Sequence, residues 1–312
     1  MSTLKLIKMH GCENDYLFVD CFTQPPPQDP GTLSRRLSAR HTGIGSDGLV
    51  LMRPPSVPGA DALMEIYNAD GSVGAMCGNA LRCYVFWLHQ TGRATGNVRI
   101  QMADRLIEGR ILSEAPDRRS AQVSVRIGCP QSLELAAAGM QQSAQATLAT
   151  QTPSAPSAEE KIPKVIAESV RAIRAEDVRH HGRQVTLHCL SMGNPHAVVF
   201  VKQIESIEFL RLGPIIERHP LFTDRTNVEF ATVTGSNEAR VRVWERGSGE
   251  TRACGSGACA VAAAGIATGW FSMKDPVKIH MNGGTLQVVA EPDGGLLLEG
   301  EAVEVAKVSV AV

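Results

Sequence analysis

A strand, a glycine-rich loop, a Cys-Gly pair and an apolar helix follow one another twice in this chain, once in each half. In the first half the strand Met64 to Tyr67 leads through a Gly/Ser loop to Cys77-Gly78-Asn79 and a helix from about Asn79 to Gln90. In the second, Val241 to Trp244 leads through Gly247-Ser248-Gly249 to Cys254-Gly255-Ser256-Gly257 and an apolar helix over Ala258 to Ile266. A duplicated unit narrows the choice of fold more than composition does. Two similar domains facing one cleft would bring the two cysteines together.

The 312 residues suit two domains at roughly 150 residues each. The expected division is 1–130 and 131–298, with a C-terminal strand, 299–312, returning to the first domain. The texture is α/β: strand-like runs at Leu4 to Met9, Tyr16 to Cys21, Leu49 to Met52, Val98 to Gln101, Gln122 to Ile127 and Gln184 to Leu190, and helices over Leu33 to Ala39 and Ile207 to Arg218. Arg240-Val241-Arg242-Val243-Trp244 alternates with period two, as a half-buried strand does. About three strands are expected from Thr285 to Val312. Between about Leu133 and Glu168, Ala, Gln, Ser, Thr and Pro dominate. That composition buries little apolar surface and reads as a loop or linker with room for one short Ala-rich helix.

A net charge of −1 and 4% aromatic residues point away from nucleic acid and from an anionic membrane surface as partners. No run reaches the roughly 18 apolar residues of a membrane span, and a cytoplasmic enzyme is the expectation. Eight cysteines without a C-x-x-C pair are neither a disulfide framework nor a zinc signature in a chain of this length.

A thiol at a helix N-terminus feels the positive end of the helix dipole, which lowers its pKa toward neutrality. The unpaired N–H groups of the first turn bind carboxylate, and the glycine allows close approach. Two such elements facing each other would clamp one carboxylate and place a sulfur on each face of its α-carbon. That arrangement suits racemisation: one thiolate removes the α-proton, the opposite thiol returns one, and aligned N–H donors hold the charge that develops on the carboxylate. No metal or pyridoxal cofactor is called for. Free cysteines also serve as small core residues, and the two Cys-Gly pairs alone leave that alternative open.

The surrounding residues decide it. Along nearly its whole length the chain resembles the diaminopimelate epimerase family. The resemblance rests on Lys8-Met9-His10-Gly11 with Asn14-Asp15, Arg40-His41-Thr42-Gly43-Ile44-Gly45 with Asp47-Gly48, Asn68-Ala69-Asp70-Gly71-Ser72, and Cys77-Gly78-Asn79 with Arg82-Cys83. It continues through Ser191-Met192-Gly193-Asn194-Pro195-His196, Leu212-Gly213-Pro214, Arg225-Thr226-Asn227, and Glu245 to Thr251 running into Ala253-Cys254-Gly255-Ser256-Gly257-Ala258-Cys259.

The resemblance implies two pseudo-symmetric α/β domains, each a mixed sheet wrapped around a central helix, with the active site in the cleft between them. It implies a homodimer and the cofactor-independent interconversion of LL- and meso-diaminopimelate, a step toward lysine and peptidoglycan precursors. By motif, Cys77 and Cys254 would be the two bases. Gly78, Asn79, Gly255 and Ser256 would bind the reacting carboxylate. Asn14, Asn68, Asn194, Asn227, Glu245 and Arg246 would hold the rest of the substrate, Arg246 by its planar fork. His196 and Glu245 would assist the chemistry, His196 beside a thiol.

The chain departs from the family pattern at Cys12-Glu13, at Ala80, at Gly74-Ala75 and in the length of 134–180, which bears on loop rigidity and substrate preference rather than on the cysteines. The runner-up is a two-cysteine racemase for another amino acid, of the proline, hydroxyproline or histidine type. A cysteine hydrolase would need a Cys/His/Asn signature that is not found. A catalytically dead binding protein would not need both cysteines.

Overall fold

The computed structural model describes residues 3–74, 76–103, 105–136, 141–142 and 162–311. The chain divides into two compact units, Met1–Arg126 with Glu299–Val312, and Ile127–Leu298.

The first unit contains β1 (Thr3–Gly11), β2 (Asn14–Asp20), α1 (Pro30–Ser38), β3 (Gly48–Arg53), β4 (Ala62–Asn68), β5 (Val73–Gly74), α2 (Gly78–Gln90), β6 (Val98–Gln101), β7 (Leu106–Glu114) and β8 (Ser120–Gly128). β1 pairs antiparallel with β2, β2 parallel with β3, β3 antiparallel with β4, β4 parallel with β6, and β6, β7 and β8 follow antiparallel.

The second unit holds β9 (Gln141–Gln142), α3 (Lys164–Ser169), β10 (Arg171–His180), β11 (Arg183–Ser191), β12 (Pro195–Phe200), α4 (Phe209–Glu217), β13 (Asn227–Gly235), β14 (Glu238–Glu245), β15 (Gly249–Thr251), α5 (Gly255–Ala267), β16 (Val277–Met281) and β17 (Gly284–Ala290). Its pairings repeat those of the first: β11 antiparallel to β12, β12 parallel to β13, β13 antiparallel to β14, β14 parallel to β16, and β16 antiparallel to β17. β5 and β15 are matching antiparallel flaps on β4 and β14. The duplication seen around the cysteines therefore extends to strand order and direction.

The last strand, β18 (Leu296–Ala311), gives most of its length to the first unit. It pairs with β1 from Thr3↔Ala311 onward and also with β8, which closes the first unit's sheet into a ring. Two strands, β17 and β18, thus occupy the region where turn residues suggested three. The chain runs straight through Gly300 because one long strand serves both β1 and β8.

Each sheet wraps a buried helix, which explains why α5 is apolar all round and why α2 is, over its buried residues, apolar but for Asn79 and Arg82, whose polar groups are bonded within the unit. α2 is buried from Gly78 to Leu88 and fills its ring with Tyr84, Phe86 and Trp87. α5 is buried from Gly255 to Ile266 and is nearly all Ala and Gly. Close packing requires this: a Cβ on Gly265 would lie 2.1 Å from the Phe271 ring. The mixed α/β, two-domain fold class is the one expected. Of the low-complexity stretch, 137–140 and 143–161 lie outside the described residues, as does Ala75. β9 and α3 occupy parts that composition assigns to a linker.

The departure at Cys12-Glu13 is a two-residue turn, since Gly11 pairs with Asn14. Both residues are left-handed, φ 53° and 59°, a conformation such hairpins satisfy most cheaply with Asn-Gly. Glu13 is solvent-exposed. Glu13→Gly is therefore expected to stabilise the protein by about 1 kcal/mol, read as an increase in the denaturation midpoint. An unchanged or lower midpoint would show the turn to be unstrained.

Candidate active site

In the first unit, Cys77 is the N-cap of α2, in extended conformation (φ −139°, ψ 111°). Its thiol donates to Asn14 Oδ1 at 3.3 Å, and Asn79 Nδ2 donates to the same oxygen at 3.1 Å. Asn14 is oriented from behind: its Nδ2 donates to Asp47 Oδ2 at 2.7 Å, which fixes Oδ1 toward the cysteine. Asp47 and Asp15 are themselves held by Arg40 at 2.7 and 2.9 Å, and Lys8 lies 2.8 Å from Asp15. Arg82, fully buried, donates to Asn79 Oδ1 at 2.8 Å, Gly78 O at 3.3 Å and Glu301 O at 3.4 Å. Asn68 ends β4 and donates instead to Ser72 Oγ at 2.9 Å.

In the second unit, Cys254 is the N-cap of α5 (φ −128°, ψ 115°). Its sulfur accepts from the Gly257 N–H at 3.4 Å and lies 3.5 Å from Ser256 Oγ. Asn194 Nδ2 donates to Ser256 Oγ at 3.3 Å. His196 Nε2 is 3.0 Å from Asn194 Oδ1, and Nδ1 is 2.8 Å from Glu229 Oε1. His196 therefore meets Cys254 through Asn194 and Ser256 rather than as the thiol's immediate neighbour in this unit. Parallel pairing sets His196 opposite Asn227. Asn227 uses both ends of its amide, donating to Pro195 O at 2.9 Å and accepting from the Arg246 N–H at 3.0 Å. The Arg246 guanidinium rests on Asp224, side chain and carbonyl. Glu245 accepts from the Thr251 hydroxyl.

The local fold explains the clustering. Residues at the starts of β12 and β13 and at the end of β14 meet the N-terminus of α5. Asn14, Asp47-Gly48 and Asn68 occupy the matching places on β2, β3 and β4 of the first unit. Sequence reasoning did not single out Glu229, and it quoted Asp47 within a motif without giving it a role. Glu229 had one signal: it sits two residues after Asn227, on the same face of a strand.

Helix position alone predicted an acidified thiol, and Cys254 departs from this. Burial pushes its pKa well above the ordinary value, and the charges of Glu245 and Glu229 push the same way. The Ser256 and Gly257 hydrogen bonds oppose them more weakly. Cys254 is thus a thiol at neutral pH. Its alkylation by iodoacetamide is expected to be at least ~10-fold slower than that of a free cysteine near pH 8. The rate should keep climbing beyond the ordinary thiol pKa of about 9. Peptide mass spectrometry reads this directly, and a plateau near neutral pH would contradict it.

Among the described residues one further cluster has metal-ligand character: His180, His181 and Glu208, with ligating atoms within 4.8 Å of one another. Arg211 already forks the Glu208 carboxylate at 2.7 and 2.9 Å and holds its pKa down to about 2. Among the same residues no helix is long and apolar enough to cross a membrane.

The family model described as diaminopimelate epimerase matches residues 6–131 and 188–305. Curated relatives named diaminopimelate epimerase include those of Moorella thermoacetica, 38% identical over 304 residues, and Azotobacter vinelandii, 38% identical over 305 residues. In both cases 97% of each chain is covered. Among solved structures, a hydroxyproline epimerase from Agrobacterium vitis superposes with a TM-score of 0.64 at 15% identity, covering 99% of this chain and 93% of that one. At that identity the likeness is one of fold.

Proposed function

The chain belongs to the diaminopimelate epimerase family, and from that premise we propose that it interconverts LL- and meso-diaminopimelate with Cys77 and Cys254 as its acid/base pair. The observation that carries the reading is the duplicated element: each half ends a polar loop with a cysteine that caps the buried helix. In one direction Cys77, as thiolate, takes the α-proton. The electron pair passes onto the substrate carboxylate, which first-turn N–H groups at Gly78, Asn79, Gly255 and Ser256 stabilise. Cys254 then donates its thiol proton to the opposite face. The thiolate and thiol have exchanged places, and the reverse reaction starts from that state. The chemistry requires the two sulfurs to reach opposite faces of one carbon.

Burial and the neighbouring carboxylates support Cys254 as the resting proton donor. Asn14, Asn68, Asn194 and Asn227 are proposed to read the zwitterionic substrate through side-chain amides that can each donate and accept. Arg246 would exchange Asp224 for the distal carboxylate. Glu245 and His196 are proposed to set the proton state of the thiols. A cytoplasmic homodimer acting on the free amino acid belongs to the same proposal.

The test is incubation of the protein with LL-diaminopimelate in D2O, without added cofactor, followed by NMR. Meso product should appear and carry deuterium at the inverted carbon from the first turnover, because the returning thiol exchanges with solvent. Substrate recovered early should carry little. Absence of meso product rules out the substrate assignment. Meso product that keeps its protium rules out the two-base mechanism while leaving the activity standing.

A further inference from the structure

His196 and Glu229 are both completely buried, yet they form a charged-type contact of 2.8 Å. Burying a carboxylate in an apolar strand costs free energy unless its partner repays it. Glu229 recovers only part: Oε1 reaches His196 Nδ1, while Oε2 has no hydrogen-bond partner among the described residues. A structural carboxylate would use both oxygens. The protein also makes room for this group. A Cβ on Gly257, in the first turn of α5, would lie 2.7 Å from Glu229 Oε1 and 3.2 Å from its Cγ. Glycine at 257 therefore admits the carboxylate beside the helix that Cys254 caps.

From these contacts we infer that Glu229 is a positioning residue of the reaction, fixing where the His196 imidazole carries its protons and thereby which end of the Asn194 amide faces Ser256. The inference rests on the epimerase reading above. The hydrogen-bond chain decides the logic. Asn194 donates through Nδ2 to Ser256, so its Oδ1 faces His196 Nε2 and needs a donor there. Nε2 must then be protonated, and the contact between Nδ1 and Glu229 must hold a second proton, on whichever of the two atoms it rests. A carboxyl group at 229 supplies that arrangement in both forms: as carboxylate against imidazolium, or as carboxylic acid against neutral imidazole. With an apolar residue at 229, neutral His196 is free to place its single proton on Nδ1. Nε2 and Asn194 Oδ1 would then be two facing acceptors. The amide would turn over, and Ser256 would give its hydroxyl proton to Asn194 instead of leaving it free toward the Cys254 sulfur 3.5 Å away. Proton placement two residues from the thiol would thus be read out at the thiol.

The experiment uses the full-length protein, uniformly unlabelled except for ¹⁵N-histidine, with wild type, Glu229→Leu, His196→Ala and the double variant compared in the same epimerase assay. Wild-type turnover of diaminopimelate establishes the underlying reading; if wild type is inactive on it, that reading fails on its own account, and the imidazole spectra still test the positioning. Glu229→Leu keeps the volume but removes the group that holds the second proton. It is expected to lower kcat/KM by roughly tenfold or more, as misplacing a functional imidazole proton does, and to move the His196 ring nitrogen signals to those of the other tautomer. In the His196→Ala background the same change should have no further effect on kcat/KM, because Glu229 acts through His196. The inference is overturned if Glu229→Leu leaves the His196 signals as in wild type, or if it costs as much without His196 as with it. Should Glu229→Leu not fold, Glu229→Asp takes its place: its carboxylate is one methylene short of Nδ1. Wild-type ring signals and kcat/KM in that variant would equally overturn it.

Discussion

Cys77→Ala and Cys254→Ala each lower epimerisation by at least ~10²–10⁴, the contribution of one acid/base group, while leaving the fold intact. Neither residue can substitute for the other, because each serves one face of the α-carbon. The near-equal loss is the informative part, since the two cysteines differ in setting. Cys254 is buried among carboxylates, whereas Cys77 is partly exposed and faces an amide oxygen. Each variant retains one acid/base group. Exchange of the α-hydrogen with solvent, without inversion, should therefore survive for one stereoisomer only, and for the opposite one in the other variant. Circular dichroism establishes folding, and exchange is followed by NMR in D2O. Near-wild-type turnover in either variant would remove that cysteine from the mechanism.

The second large effect is expected at a residue that touches no reacting atom. Arg82 is among the largest fully buried side chains of the described residues, and it donates to Asn79 Oδ1, Gly78 O and Glu301 O. Arg82→Leu removes the donors and leaves these acceptors in an apolar setting. Each unsatisfied group costs roughly 1–3 kcal/mol, and relief of the arginine's own desolvation returns part of it. The expected loss is about 2–4 kcal/mol in chemical denaturation. Asn79 would also lose its anchor, so KM should rise in the surviving folded protein. Arg82→Lys should rescue little, because a single ammonium cannot reach three acceptors in a plane. A change below about 0.5 kcal/mol, the range of an ordinary surface substitution, would show that Arg82 holds nothing together.

What the sequence made legible follows from range. The two helix starts could be read because everything they need is local: a polar glycine loop, a cysteine with extended backbone, then a mostly apolar run. β14 was legible for the same reason, alternating cleanly over Arg240 to Trp244. β7 was not, because its buried positions Ile107 and Gly109 are followed by a register shift after Ile111 that breaks the alternation. The chemical error at Cys254 has a long-range cause. The dipole argument uses only α5, but the groups that raise the thiol are burial and two acids brought from β13 and β14. Asn227 shows the same limit: the motif marks the residue, but its bonds to Pro195 O and from the Arg246 N–H join β13 to β12 and to the residue that follows β14, contacts no local pattern displays.

The pairing of Thr3 with Ala311 has a consequence for how the protein is made. On the ribosome, β1 to β8 emerge first, but the strand that lies between β1 and β8 is translated only after the second unit. Until then the first unit has two open sheet edges and an α2 whose apolar surface is not yet enclosed, a state prone to edge-to-edge pairing. The second unit, made in between, has most of its strands in hand sooner. Completion of the first unit, and with it the setting of Cys77, thus waits until the second unit has been synthesised.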